Sequence, residues 1–264
     1  MTVRPVVAAV DVPSVGGDGP TGGEPGPRPF IRKLERLGPL GGEDRRVLEE
    51  LPLAVRRVGA GQILLREGQR PSQCLLLLEG WACRSKTLAD GRRQIVSFHL
   101  PGDLLDLAGV LLGQMDHEVC ALTPVKVAVV PGATLLEWVQ HRPGLGLLLW
   151  RDTLIDASIF REWVLNVGRR TAFQRVAHLL CELVARVRAA ELASDYRCEL
   201  PVTQVELADA TGLSAVHVNR VVQDLRAEGL IEPRGRALAV RDWRGLTRAA
   251  EFDPAYLHPF AAAA

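Results

Sequence analysis

Residues 201–220 read Pro201-Val202-Thr203-Gln204-Val205-Glu206-Leu207-Ala208-Asp209-Ala210-Thr211-Gly212-Leu213-Ser214-Ala215-Val216-His217-Val218-Asn219-Arg220. This stretch spells a helix, a tight turn and a second helix. Thr203 is an N-cap residue with Glu206 three positions on, a pair that satisfies two free backbone N–H groups reciprocally. Val205, Leu207, Ala208 and Leu213 offer an apolar core, with Ala208 small where two helices cross closely. Gly212 suits the turn. Ser214 caps the second helix. Val218, Val221, Val222 and Leu225 carry that helix to about Glu228, and Gly229 stops it. Leu230-Ile231, a turn at Arg234-Gly235-Arg236 and residues 237–240 then read as a β-hairpin wing.

With those valines and Leu225 turned inward, the start of the second helix presents Ala215, Val216, His217, Asn219 and Arg220 on its other side. A recognition helix lays such early residues against base edges in the major groove. Arg can donate two hydrogen bonds to guanine O6 and N7, and Asn can pair bidentately with adenine. His217 is placed for a phosphate, as are Arg234 and Arg236 at the wing tip, which would position the protein without reading sequence. Thr203, Gln204 and Ser214, at the two helix starts, complete the candidate DNA-binding set. A plain three-helix core would share the apolar pattern. Capping box, turn glycine, Arg/Asn face and wing in this order favour double-stranded DNA as partner.

Upstream, residues 171–190 form a helical pattern and Gly168-Arg169-Arg170 reads as a hinge before it. Residues 195–200 are polar and turn-like. From 133 to 167 the pattern is a long helix, with Leu145, Leu148, Leu149, Asp152, Ile155, Ile159 and Trp163 at three- and four-residue steps. Leu147, Trp150, Leu154, Ala157 and Val164 add apolar character on a neighbouring face. That second face fits either a parallel seam with another copy of the chain or a core helix inside one subunit.

Between 54 and 131 the texture is short apolar runs at 62–65, 74–78, 81–87, 94–99 and 125–130. Gly68, Gly80, Gly91 and Gly102 punctuate them at near-even spacing. Such spacing predicts a β-roll of about eight strands, with Asp90-Gly91 as a hairpin turn. Two short helical stretches, 32–37 and 43–51, precede it. The Gly- and Pro-rich residues 1–29 read as a disordered tail. The expected order is a tail at 1–29, a β-roll at 30–132, a dimerisation helix at 133–167, a winged helix at 168–243, and a C-terminal tail with a possible short helix at 244–264. The fold class is α+β.

Composition narrows the function classes. The 264 residues carry a formal net charge of +1, so a DNA-binding face must be a local concentration of Arg. Cys74, Cys83, Cys120, Cys181 and Cys198 are scattered without a C-x-x-C pair, which predicts free thiols, no disulfide scaffold and no metal site. No signal peptide and no apolar run of membrane-spanning length is read, so the expected location is the cytoplasm, without a membrane partner. No nucleophile–base constellation, metal motif or phosphate loop stands out, so no enzyme and no cofactor are expected.

Several motifs recur together: Glu67-Gly68, Leu78-Glu79-Gly80, Asp90-Gly91-Arg92 and Leu100-Pro101-Gly102-Asp103 in the roll, then Arg170 with Arg175-Val176-Ala177, Thr203 to Ala208, and Gly212-Leu213-Ser214 with Val218-Asn219-Arg220. With them the chain resembles the Crp/Fnr (catabolite activator) family of bacterial regulators over about residues 30–243. The resemblance implies a β-roll effector domain, a long dimerisation helix and a winged helix-turn-helix. It implies a homodimer on an inverted-repeat DNA site that contacts or occludes RNA polymerase. A sensor module whose winged helix serves protein contacts is the rival reading.

The chain departs from the family pattern in both halves. Family recognition helices often begin Ser-Arg-Glu; here Ala215 and Val216 stand at the Arg and Glu positions, while the later Arg is retained as Arg220. Base reading therefore falls on Arg220, with Asn219 and His217 as helpers and Val216 offering methyl contact to thymine. Cyclic-nucleotide binders carry Gly-Glu and then Arg-Ser; here those stretches are Leu104-Leu105-Asp106-Leu107-Ala108-Gly109 and Asp116-His117-Glu118. Acidic groups repel a phosphate, which speaks against a cyclic nucleotide and leaves the effector unknown. The N-terminal Cys cluster of the oxygen-sensing branch is also missing. His117 and Cys120, with His99, are candidates for a redox or metal site. Leu104, Leu105, Leu107, Val110, Leu111 and Leu112 form either an apolar pocket or roll core.

Overall fold

A computed structural model describes residues 26–193 and 196–258. Most of the expected tail, 1–25, lies outside these residues. The first described helix starts slightly before the expected Phe30: α1 (Arg28–Leu37), followed by α2 (Gly42–Glu49). The roll holds β1 (Ala54–Val58), β2 (Ile63–Leu65), β3 (Gln73–Glu79), β4 (Ala82–Thr87), β5 (Arg93–His99), the short α3 (Leu107–Leu112), β6 (Glu118–Ala121) and β7 (Val125–Pro131). They form two antiparallel sheets, β1-β7-β3 and β2-β6-β4-β5, around Leu65, Leu77, Val119, Val127 and Met115. The roll thus has seven strands rather than about eight. β1 and β6 were not among the apolar runs because β1 is half solvated and β6 opens on Glu118.

Gly102 shows how local chemistry joins roll to helix. It sits at φ +100°, and a Cβ there would lie 2.7 Å from the Pro29 carbonyl oxygen. Only glycine both tolerates that dihedral and lets the start of α1 come so close.

The pattern read as one helix over 133–167 is two, α4 (Gly132–His141) and α5 (Pro143–Arg169). Pro143 stands at the start of α5 and disfavours helical geometry at Arg142, which takes φ −129°, ψ 78°. α5 runs through Gly168, so the break comes at Arg170, after the expected hinge had begun. Thr171 then caps α6 (Ala172–Ala189) in a capping box with Gln174.

The last unit contains β8 (Arg197–Glu199), α7 (Gln204–Thr211), α8 (Ala215–Ala227), β9 (Ile231–Arg234), β10 (Ala237–Val240), α9 (Trp243–Ala250) and a 3-10 turn (Pro254–Leu257). Residues 197–199, read as turn, form the third strand of the wing sheet, β8-β10-β9. The segment after Trp243, read as a tail with a possible short helix, packs instead: Leu246 and Ala250 of α9 are fully buried, and the Phe252 and Tyr256 rings lie over His178.

One apolar core runs without a break from the outer face of the roll (Trp81, Phe98) through α5 (Ile159, Trp163) and α6 into α7 and α8. At its centre Glu182 is fully buried. It accepts hydrogen bonds from Trp163 Nε1 at 2.9 Å and the Tyr256 hydroxyl at 2.8 Å. Burial raises its pKa even though Arg186 beside it acts in the opposite sense.

Two buried histidines make stability pH-dependent. Burial, with Arg84 nearby, lowers the His99 pKa to about 4; burial, with Arg170 nearby, lowers that of His178 to about 3. Below pH 6.5 the unfolded chain takes up protons at these sites that the folded chain does not, so stability falls as pH drops from 6.5 toward 4. The unfolding free energy in urea should fall by about 2 kcal/mol per histidine between pH 7 and pH 5. His99→Gln and His178→Gln should each flatten this dependence; an undiminished fall in both variants would assign it to other groups.

Candidate nucleic-acid interface

The helix-turn-helix is built from local bonds. Thr203 Oγ1 accepts from the Glu206 N–H at 3.2 Å, and Glu206 Oε2 accepts from the Thr203 N–H at 2.6 Å. Gly212 takes the left-handed φ of +65° that the turn requires. Ser214 Oγ accepts from the His217 N–H at 3.2 Å and starts α8. Val218, Val221, Val222 and Leu225 are buried, as the helical spacing predicts. Val205 differs from its expected core role: it is 56% exposed, on the outer face of α7.

Arg175 fastens this unit to the rest. Its Nη1 donates to the Thr211 carbonyl at 2.9 Å and its Nη2 to the Arg170 carbonyl at 3.1 Å, so one guanidinium ties the turn to the α5–α6 joint.

Most of the predicted DNA-facing residues are exposed. Thr203, Gln204, Ser214, Val216, His217, Asn219 and Arg220 are exposed, and Ala215 is half-buried. Asn219 Nδ2 donates to Gln204 Oε1 at 3.0 Å, a brace between α7 and α8 that sequence reasoning missed. Arg220 and Arg236 have no side-chain hydrogen bond or ion pair among the described residues. Arg234 differs: its guanidinium is held by Glu232, which also takes Arg241.

On α5 the structure separates two faces. Leu145, Leu148, Leu149, Ile159 and Trp163 turn into the chain's own core. Leu147, Trp150 (64% exposed), Leu154 and Val164 (73% exposed) stand outside it, with Ala157 half-buried in the same line. Their spacing of three, four, three and seven residues is the seam pattern of paired helices.

The roll encloses a cavity of about 460 Å³ between β4, β5, α1, α5 and α6. Two of the cations that line it are matched by carboxylates. Arg84 donates to the Leu105 carbonyl and pairs with Asp156 at 2.5 Å; Lys33 pairs with Asp103 at 2.8 Å and Asp152 at 2.7 Å. Leu104 and Leu107 line the cavity, Leu105 is roll core, and Leu112 points to solvent, 81% exposed. The candidate His99–His117–Cys120 site is not assembled. His99 and His117 line the cavity, whereas Cys120 lies on the outer face of the sheet opposite Cys83. The alternation of strand side chains sends β6 residues 119 and 120 to opposite faces. No cluster of three or more His, Cys, Asp or Glu side chains suited to a metal occurs among the described residues.

Comparison with known proteins agrees with this layout. Residues 174–249 match the model of a Crp-like helix-turn-helix domain, and residues 55–142 match that of a cyclic nucleotide-binding domain. The first match extends into α9. The chain is 31% identical over 215 residues to the transcriptional activator protein FnrL of Cereibacter sphaeroides, covering 80% of this chain and 86% of that protein. It is 32% identical over 190 residues to the nitrogen fixation regulation protein FixK of Bradyrhizobium diazoefficiens, covering 71% and 79%. The solved structure of FixK2 from Bradyrhizobium japonicum superposes with a TM-score of 0.68 at 25% identity, covering 75% of this chain and 98% of FixK2. With its β-roll, exposed helix face and winged helix in this order, and with relatives of this similarity along most of its length, the chain belongs to the Crp/Fnr family of DNA-binding transcriptional regulators.

Proposed function

We propose that the protein acts in the cytoplasm as a homodimer joined along α5 and reads an inverted-repeat DNA site with two copies of α8. The observation that carries this reading is Arg220, exposed on the early turns of a capped helix without a side-chain partner among the described residues, beside the Gln204–Asn219 brace. Arg220 donates to guanine O6 and N7. The brace holds Asn219 and Gln204 against the neighbouring base edges, and Val216 packs on a thymine methyl. His217, Thr203 and Ser214 lie along the backbone, and Arg236 takes a phosphate at the wing tip. Arg234 contributes less than the sequence pattern suggests, because Glu232 already holds it.

Leu147, Trp150, Leu154, Ala157 and Val164 form the seam with the second copy. Such a seam sets the two recognition helices about 34–36 Å apart, one turn of DNA. The bound protein then contacts or occludes RNA polymerase. The roll supplies an input other than a cyclic nucleotide, or none: Asp156 neutralises the Arg84 guanidinium that lines the cavity, and Asp116 lies on the same wall.

Gel-shift titration on DNA from the protein's own promoter region tests the DNA reading. Arg220→Ala should weaken specific binding by about ten- to a hundredfold while salt-sensitive non-specific binding persists. Equal protection of the same site by this variant would remove Arg220 from the interface. Trp150→Glu should convert the dimer to monomer in light scattering, and an unchanged mass would rule out the α5 seam.

A further inference from the structure

Two cysteines from different parts of the roll meet on its outer face. β4 and β6 pair antiparallel, with Cys83 directly opposite Cys120. Their neighbours Ala82, Val119 and Ala121 point into the roll core, so both thiols point out, into the layer shared with α6 and α7. Directly opposed residues of an antiparallel pair have Cβ atoms about 4.5–5.5 Å apart. A disulfide needs about 3.5–4.5 Å. A slight pinch of the two strands therefore closes the gap. Both cysteines are free thiols in the structure.

The cover over this pair is the first helix of the helix-turn-helix. α7 packs on β5, the strand next to β4 in the sheet, and Leu207, Ala208 and Ala210 belong to the same continuous core as Cys83, Cys120 and Ile95. Two polar contacts hold α7 down on β5. Arg93 pairs with Asp209 at 2.8 Å, and Gln94 Nε2 donates to the Ala210 carbonyl at 3.2 Å. Under this cover Cys83 and Cys120 are both buried. Burial pushes the Cys83 thiol up to about 12 and raises that of Cys120; the Arg93 guanidinium acts against this on both, and the Glu206 carboxylate on α7 acts with it. The thiolate is the reactive form of cysteine. With α7 docked, almost none is present at neutral pH; with α7 lifted, water reaches the pair and the ordinary cysteine range of about 8.5 returns.

We propose that Cys83 and Cys120 are a peroxide-responsive dithiol, and that undocking of α7 from the roll gates its oxidation to an intramolecular disulfide. In the first step one thiolate attacks a peroxide oxygen, the O–O bond breaks, and a sulfenic acid forms with loss of water once a proton is taken up. In the second step the facing thiolate attacks that sulfur, the S–S bond forms and a second water leaves. Overall the two thiols give up two electrons and two protons, and hydrogen peroxide becomes two waters. A strand-bridging disulfide that needs a pinch to close is strained, and strained bridges are readily reduced, so the change is reversible by a dithiol.

The full chain is treated with a small excess of hydrogen peroxide, quenched by alkylation, and followed by thiol titration in denaturant and by peptide mapping. The expected result is a fall from five thiols to three, with a Cys83–Cys120 cross-linked peptide that dithiothreitol removes. Retention of all five thiols, or oxygen adducts at either cysteine without the cross-link, would overturn the proposal. Asp209→Ala removes the ion pair that holds α7 while leaving Arg93 in place, and should speed loss of the two thiols roughly two- to fivefold. Cys74, in the separate apolar core under α1, should stay protected meanwhile. An unchanged rate, or loss of all thiols together, would show that lifting of α7 does not gate the reaction.

Discussion

The Asp103 carboxylate is the point on which the assembly turns. It follows Gly102 in the turn after β5, and its own Oδ2 accepts the Leu100 N–H at 3.0 Å. Burial alone would raise its pKa, but two cations converge on it, Lys33 of α1 at 2.8 Å and Arg186 of α6 at 3.5 Å, and the His99 ring of β5 lies 3.3 Å away. Together they hold the carboxyl well below the usual range. A buried charge is tolerated only when paired and hydrogen-bonded. Satisfying this one group therefore draws the N-terminal helix, the roll and the helix that leads to the winged unit onto a common centre.

From there the constraint passes toward the DNA-facing end. Arg186 also approaches the fully buried Glu182, at 3.5 Å, and Glu182 receives Trp163 of α5 and Tyr256 of the terminal turn. Arg186 donates in addition to the Phe98 carbonyl at 2.7 Å. The bonds to Phe98 and Tyr256 join α6 to elements far from it in the chain. With the apolar layer around Phe98 and Trp163, whose rings lie 5.9 Å apart, they leave α6 little freedom relative to the roll. α7 is held on the roll less firmly, by one part-exposed ion pair, one amide and a small apolar contact, while Arg175 keeps its last residue on the α5–α6 joint, so the α7–roll contact is the one that opens at lowest cost.

Within the winged unit, much of what matters was legible because it is local. The capping box of Thr203 and Glu206, the Gly212 turn, the Ser214 cap and the inward valines of α8 each depend on residues within a few positions of one another. The partial readings have physical reasons too. β1 and β6 escaped notice because a strand that is half solvated or opens on a charge lacks an apolar run. The helix break at Pro143 was masked by apolar periodicity that continues in register on both sides. Val205 fitted the apolar pattern of α7, but that helix has only two turns and buries a narrower face than its composition suggests.

By itself the sequence determined the caps of α7 and α8, the turn between them and the face of α8 that points outward, since these follow from dihedral preferences, capping and 3.6-residue periodicity. Only the tertiary structure decided which side chains are free to act. Arg84 meets Asp156 across 72 positions and Arg93 meets Asp209 across 116, while Glu232 captures Arg234 and Asn219 is braced by Gln204. Cys83 and Cys120 face each other only because β4 and β6 pair in that register. Pairings of this kind are set by how sheets and helices pack on one core, and burial then makes each of them strong. Local periodicity carries no record of either.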